Sequence, residues 1–212
     1  MPSAAARLTP GPRRAARRRA AHLLSEALSP FILVTLVLVW VALLTDPRWW
    51  WAALFSAVFF AGIPWLASRA MVRRGLATDP FIRHRRQRHL FYGIALASML
   101  LGAASLLLVP TSEAVRWSGV LGVGTQLTAL IINTRLKISI HALTAALAAV
   151  IVPAGLDHPV WWVVGMLVWA AASWSRLELR RHTGLDIVLG SLLGASVGAA
   201  LLAILGGLPT MG

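Results

Sequence analysis

The sequence predicts an all-α, polytopic bundle of about six to seven transmembrane helices, on three observations. Apolar residues make up 58% of the 212 residues. Charged residues make up only 13%, where a soluble domain carries about 25%. Seven apolar runs approach the length of about 20 residues that a helix needs to cross a hydrocarbon core. Mean hydropathy is +0.74, and the length suits one bundle. The chain has no Cys, which excludes a disulfide framework and a thiolate metal site. Its net charge of +13 comes almost entirely from Arg. That charge lies beside apolar runs, so anionic lipid headgroups are the expected partner and nucleic acid is not.

Residues 1–27 form a basic N-terminal arm with Arg7, Arg13, Arg14, Arg17, Arg18 and Arg19. The composition predicts a disordered or surface-lying segment that fixes orientation. A cleaved signal peptide is not expected, because the following apolar run is long and no small-residue cleavage site follows it. The bundle proper is 28–212. Its runs are 28–45, 49–68, 90–109, 116–134, 140–156, 159–174 and 187–207. The sixth is short and the first two are closely joined, which leaves six spans or seven. Thr45-Asp46-Pro47, Val109-Pro110 and Leu156-Asp157-His158-Pro159 are turn signals between runs.

With seven spans, all Lys and Arg except Arg48 and Arg116 fall on the side of the N-terminus, which is 18 of 20. Positive charge stays cytoplasmic, so that side is expected to be the cytoplasm. Trp49, Trp50, Trp51, Trp117, Trp161 and Trp162 fall at span ends on the opposite side, as an interfacial aromatic belt. Gly190, Gly194 and Gly198 recur every fourth residue in the last run. Such a face lets another helix approach closely. Packing within the bundle is the expected use, and a homodimer face is the alternative.

Candidate chemistry centres on Ser175 to Asp186, which holds six ionisable side chains between two apolar runs. A polar cluster pinned at a membrane edge is a functional-site candidate. If the last helix begins near His182, then His182 and Asp186 lie one turn apart on one face. A carboxylate there fixes the tautomer of the imidazole and leaves the other ring nitrogen free to attack. Arg176 offers a planar fork suited to phosphate oxygens. Taken singly, Arg176, Arg180 and Arg181 read as a positive-inside loop; the combined spacing at the mouth of a span favours a site. A second constellation, Lys137-Ile138-Ser139-Ile140-His141, opens the fifth run on the same side. His141 there is placed to meet His182 as a general acid. A third is the Arg-rich loop from Asp79 to His89, which also reads as a solvated positive-inside loop.

Ser175-Arg176, five residues, His182, three residues, Asp186 resembles the third signature of the type 2 phosphatidic acid phosphatase superfamily. Ser139 and His141 match the second signature, Pro-Ser-Gly-His, with Ile138 in place of Pro and Ile140 in place of Gly. The first signature, Lys-x6-Arg-Pro, is degenerate. Asp79, Ile82, Arg85 and Arg88 instead fit a prokaryotic variant, Asp-x2-Val-x2-Arg-x2-Arg-Pro, with His89 where Pro is expected. Lys137 is a candidate for the missing Lys charge. The resemblance spans residues 79 to about 207, and the hairpin at 90–134 departs from many family members.

The resemblance implies a membrane phosphatase for a lipid phosphate or diphosphate, acting without metal or other cofactor through a phosphohistidine. It assigns attack to His182, orientation of His182 to Asp186, and proton transfer to His141. It assigns the phosphoryl oxygens to Arg176, Ser139, Lys137, Arg88 and Arg85. Phosphatidic acid, phosphatidylglycerophosphate and polyprenyl phosphates are the implied substrate classes, in a prokaryotic cell membrane with the site facing the cytoplasm. The alternative is a non-catalytic lipid-phosphate binder or lipid translocation protein on the same bundle. A transporter or channel ranks below both, because the mid-span regions hold almost no ionisable residues. Reporter fusions in the loop 69–89 should report the cytoplasm; an outside location would overturn the inner-leaflet choice of substrates.

Overall fold

The computed structural model describes residues 11–79 and 85–211, apart from the side chains at 85, 86, 88 and 89. It is an all-α bundle. Its helices are α1 (Pro12–Ala27), α2 (Pro30–Thr45), α3 (Trp49–Ala57), α4 (Ile63–Arg73), α5 (Arg85–Leu108), α6 (Glu113–Arg135), α7 (Ile140–Ala154), α8 (Val160–Glu178) and α9 (Gly184–Leu205). A π-helical turn, Val58–Gly62, joins α3 to α4 into one rod. Among the described residues, five rods are long and apolar enough to cross a membrane: Trp49–Arg73, Leu90–Leu108, Glu113–Arg135, Val160–Glu178 and Gly184–Leu205. The pair α1 and α2 passes the same test only when taken together across a bend of 41°.

One expectation narrows and one changes. Of the two forms expected for the N-terminal arm, disordered or surface-lying, the described residues are helical from Pro12. Residues 11–20 are exposed, while Ala21 and Ser25, one turn apart, are buried. Arg17 pairs with Glu178 at 2.6 Å, where α1 packs on α8. The bend before α2 follows from Pro30, which lacks an N–H and holds Ser29 in extended backbone (φ −67, ψ 151). The fifth expected span is the one that changes. Helix α7 has 15 residues, about 22 Å at 1.5 Å per residue, against a hydrocarbon core of about 30 Å. It is the inner helix of the bundle, packed against α2, α8 and α9.

The glycine stripe of α9 faces α7. A Cβ at Gly190 would collide with the Ser139 carbonyl, and one at Gly194 with the Leu143 carbonyl. Gly198 meets Val150. The stripe therefore serves packing within the bundle, and α7 fills the face that a second copy would need.

Helix α2 is shared by two apolar clusters. Leu33, Val37 and Val41 pack with Ala145, Ile151 and Leu201. Leu38 and Ala42 pack with Ala52, Phe60, Leu106 and Val115. The π-helical turn has a local cause. Pro64 has no N–H to give to the carbonyl four residues back, and its ring crowds that carbonyl, so the helix widens. The widening sets Phe60 against Gly102, Gly119 and Gly122 of the α5–α6 hairpin.

Helix polarity puts the C-terminal ends of α1, α4, α6 and α8 with the N-terminal ends of α5, α7 and α9. The opposite end is tied by Asp46. Its carboxylate accepts from Arg48 N at 2.8 Å and Ser112 N at 2.7 Å, which holds the α2–α3 turn to the start of α6. The tryptophan runs 49–51 and 161–162 are exposed at that end. Among the described residues, all Lys and Arg except Arg48 and Arg116 lie on the other side.

The turn from α8 to α9 is tight. Arg181 N donates to Arg176 O at 3.0 Å and Arg180 N to Leu177 O at 2.9 Å. This is a Schellman closure, and Arg180 sits in its left-handed position at φ 52. Glycine occupies that conformation without strain. Arg180→Gly should therefore raise stability by about 1 kcal/mol, seen as a higher Tm in detergent, and a fall in Tm would refute this account of the turn.

Candidate functional site

The α8–α9 turn sets the site. Thr183 caps α9 and forms a capping box with Asp186: Asp186 N donates to Thr183 Oγ1 at 3.3 Å, and Thr183 N to Asp186 Oδ2 at 3.0 Å. The same Oδ2 accepts from His182 Nδ1 at 3.2 Å. The helix therefore begins at Gly184, two residues after His182, yet the one-turn pairing of His182 and Asp186 holds. Because a carboxylate only accepts, the proton of the neutral ring is on Nδ1 and the lone pair on Nε2.

Helix α7 meets this turn through its backbone, where Ser139 N donates to Asp186 O at 3.0 Å. Ser139 is fully buried and its hydroxyl accepts from Ala142 N at 3.3 Å as the N-cap of α7. Ser139 therefore positions α7, and its side chain is not on the cavity wall. Two residues on, His141 lines an interior cavity together with Arg176 and His182. Lys137 is exposed and donates from Nζ to Arg181 O at 2.8 Å, bracing the turn from outside the cavity. The backbones of Arg85 and Arg88 start α5 at this end of the bundle, and their side chains lie outside the described residues.

The residue that sequence reasoning missed is Ser25. It is 2% exposed and meets both other groups. His141 Nε2 donates to its carbonyl at 3.1 Å, and Arg176 NH1 donates to its hydroxyl at 2.8 Å. Its two oxygens thus join α1 to both His141 and Arg176. A lone serine in an Arg/Ala-rich stretch carries no motif. The available signal is the pair of small residues, Ala21 and Ser25, spaced to share one helical face.

The chain matches no protein-family model, no curated protein and no solved structure. The site therefore has to be read from its own geometry.

Burial and the positive charges of Arg176 and Lys137 push the His182 pKa down from 6.5 to about 4, against the pull of Asp186. The ring is neutral at neutral pH, with Nε2 unprotonated. Between pH 6.5 and about 4 the unfolded chain binds a proton at this position that the folded chain does not. Stability should therefore fall as the pH drops through that window, and His182→Gln should flatten the fall. A ring 15N titration of His182 in the intact protein checks the origin directly; a midpoint near 6.5 would contradict it.

Proposed function

We propose that this protein is an integral membrane phosphatase that hydrolyses a lipid phosphate or diphosphate through a phosphohistidine on His182. The observation that carries the proposal is the meeting of the His182–Asp186 pair with buried Arg176 at one end of an apolar cavity. A buried guanidinium is costly to desolvate. Keeping one at the mouth of a membrane cavity is accounted for by an anionic ligand. Arg176 offers charge and a planar fork, which a transferring phosphoryl group needs.

In this reading His182 Nε2 attacks phosphorus in line. The N–P bond forms as the bond from phosphorus to the leaving oxygen breaks. Asp186 holds the imidazole by Nδ1 and stabilises the positive charge that develops on it. His141, protonated as the anionic substrate binds beside it, gives its Nε2 proton to the leaving oxygen, then accepts one from the water that cleaves the N–P bond. The substrate's oxygens replace those of Ser25 on His141 and Arg176. The resemblance assigns Arg85 and Arg88 to the same phosphoryl oxygens. The resemblance noted from sequence supplies the expectation of metal-independent chemistry. Lys and Arg at the site end support a cytoplasmic active site and an inner-leaflet substrate of the phosphatidic acid, phosphatidylglycerophosphate or polyprenyl phosphate class.

A second reading, a non-catalytic lipid-phosphate binder or translocation protein, is favoured by the share of Asp186 in the capping box. A cap explains that carboxylate without catalysis. Trapping a phosphoryl group on His182 excludes this reading.

The test is phosphate release from a panel of lipid phosphates by purified protein in detergent with chelator. Wild type should release phosphate, and His182→Ala should lose at least about a thousandfold, as loss of a nucleophile does. Arg176→Lys should lose about a hundredfold, because a point charge does not reproduce the fork. Wild-type rates in either variant would overturn the assignment.

A further inference from the structure

The cavity behind the site has a direction and an end. Its volume is about 230 Å³. At the site end its wall includes Pro30, Phe91, Ala129, His141, Arg176 and His182. At the far end it includes Leu38, Phe60, Met99, Ser118, Leu147 and Leu201. Each contributing helix supplies residues in the order that its polarity requires. The run from Phe91 to Met99 on α5, and from Ala129 to Ser118 on α6, gives a depth of about 12–16 Å at 1.5 Å per residue. That is roughly half the hydrocarbon core.

The wall is largely apolar, with Tyr92 and Gln126 among its polar side chains. Three of its hydroxyls are committed to their own helices: Ser118 donates to Ala114 O at 2.8 Å, Thr125 to Leu121 O at 2.6 Å and Thr144 to Ile140 O at 3.0 Å. Water needs two to four polar partners to occupy such a space. Three hydroxyls turned to carbonyls of their own helices make poor partners for it. The Phe60 ring closes the far end. It lies against Gly119 and Gly122, and a Cβ at Gly122 would come within 2.9 Å of it.

We infer that this chamber takes one hydrocarbon chain of the lipid whose phosphate is held at Arg176 and His182, and that Phe60, seated on Gly122 and Gly119, sets how long a chain it accepts. The inference rests on the phosphate reading of the site and adds where the tail goes. The tail lies inside the bundle, between α2, the π-helical turn, α6 and α7, and not along the outer surface. The α5–α6 hairpin supplies one wall. A two-chain lipid places one chain in the chamber and leaves the other in the bilayer.

The test uses full-length protein in nanodiscs and dodecylphosphonate with a diazirine at its terminal carbon. A phosphonate is not hydrolysed, so labelling does not depend on turnover. Insertion should map to the far-end residues Phe60, Met99 and Ser118. Insertion confined to bilayer-facing residues such as Leu101, Leu107 and Ile131, or none at all, overturns the inference. Gly122→Leu then shortens the accepted chain. Relative to wild type it should weaken dodecylphosphonate about tenfold, as two excluded methylenes do, and leave butylphosphonate unchanged. Phe60→Ala should shift the profile the other way. Partitioning of each probe into the bilayer is common to all proteins and drops out of these ratios. Identical profiles in folded variants would overturn the role of Phe60. Far-end labelling without phosphate release would sink the phosphatase reading and leave the chamber; phosphate release without far-end labelling would do the reverse.

Discussion

The close approach of α7 to α9 is the contact on which the rest of the structure depends. Gly190 and Gly194 bring the α9 backbone against the Ser139 and Leu143 carbonyls. Any larger residue would hold the two helices apart. At that separation Ser139 N reaches Asp186 O, and the starts of two helices are locked in register. His141 then stands beside the turn that carries His182. A helix pair in lipid gains little from the hydrophobic effect and relies on packing and hydrogen bonds. Here both act at the same level of the bundle, and that level is the site.

A short α7 follows from the same constraint. It is surrounded by α2, α8 and α9, so its length need not match the bilayer; the neighbours cover its ends. Hydropathy over 140–156 gives the apolar character of this run and says nothing of how much protein surrounds it. The other rods were legible because each is long, uninterrupted and bounded by charges or turn residues. The rod 49–73 also hid a detail that the sequence carries openly. Pro64 inside an apolar run forces a local change of helix, and the change places Phe60.

The site was legible in parts. His182 and Asp186 announce themselves by spacing, and the paired geometry follows from one turn of helix. Thr183 and Asp186 also spell a capping box, so the carboxylate has a structural partner as well as a chemical one. Arg176 stood out as a charge next to a span; its burial did not, because burial depends on α1. Ser25 was illegible for the same reason. It lies in a stretch whose composition suits a surface-lying arm, and its role exists only once α8 is beside it. Ser139 was legible as a polar residue at a helix start, and the structure uses its hydroxyl as the cap that such a position favours.

Ser25 lies 116 residues before His141 and 151 before Arg176. At roughly 5–20 residues per second, a ribosome needs on the order of ten seconds between them. During that interval α1 and α2 exist without the helices that carry the histidines and the buried arginine. His141 is synthesised first and Arg176 later, and the His182–Asp186 pair comes last of all. A chain halted anywhere before α9 therefore has no complete pocket, whatever fraction of the bundle has already formed. Biosynthesis completes the cluster of Ser25, His141, Arg176, His182 and Asp186 in its final steps, when nearly all of the hydrophobic scaffold has already been made.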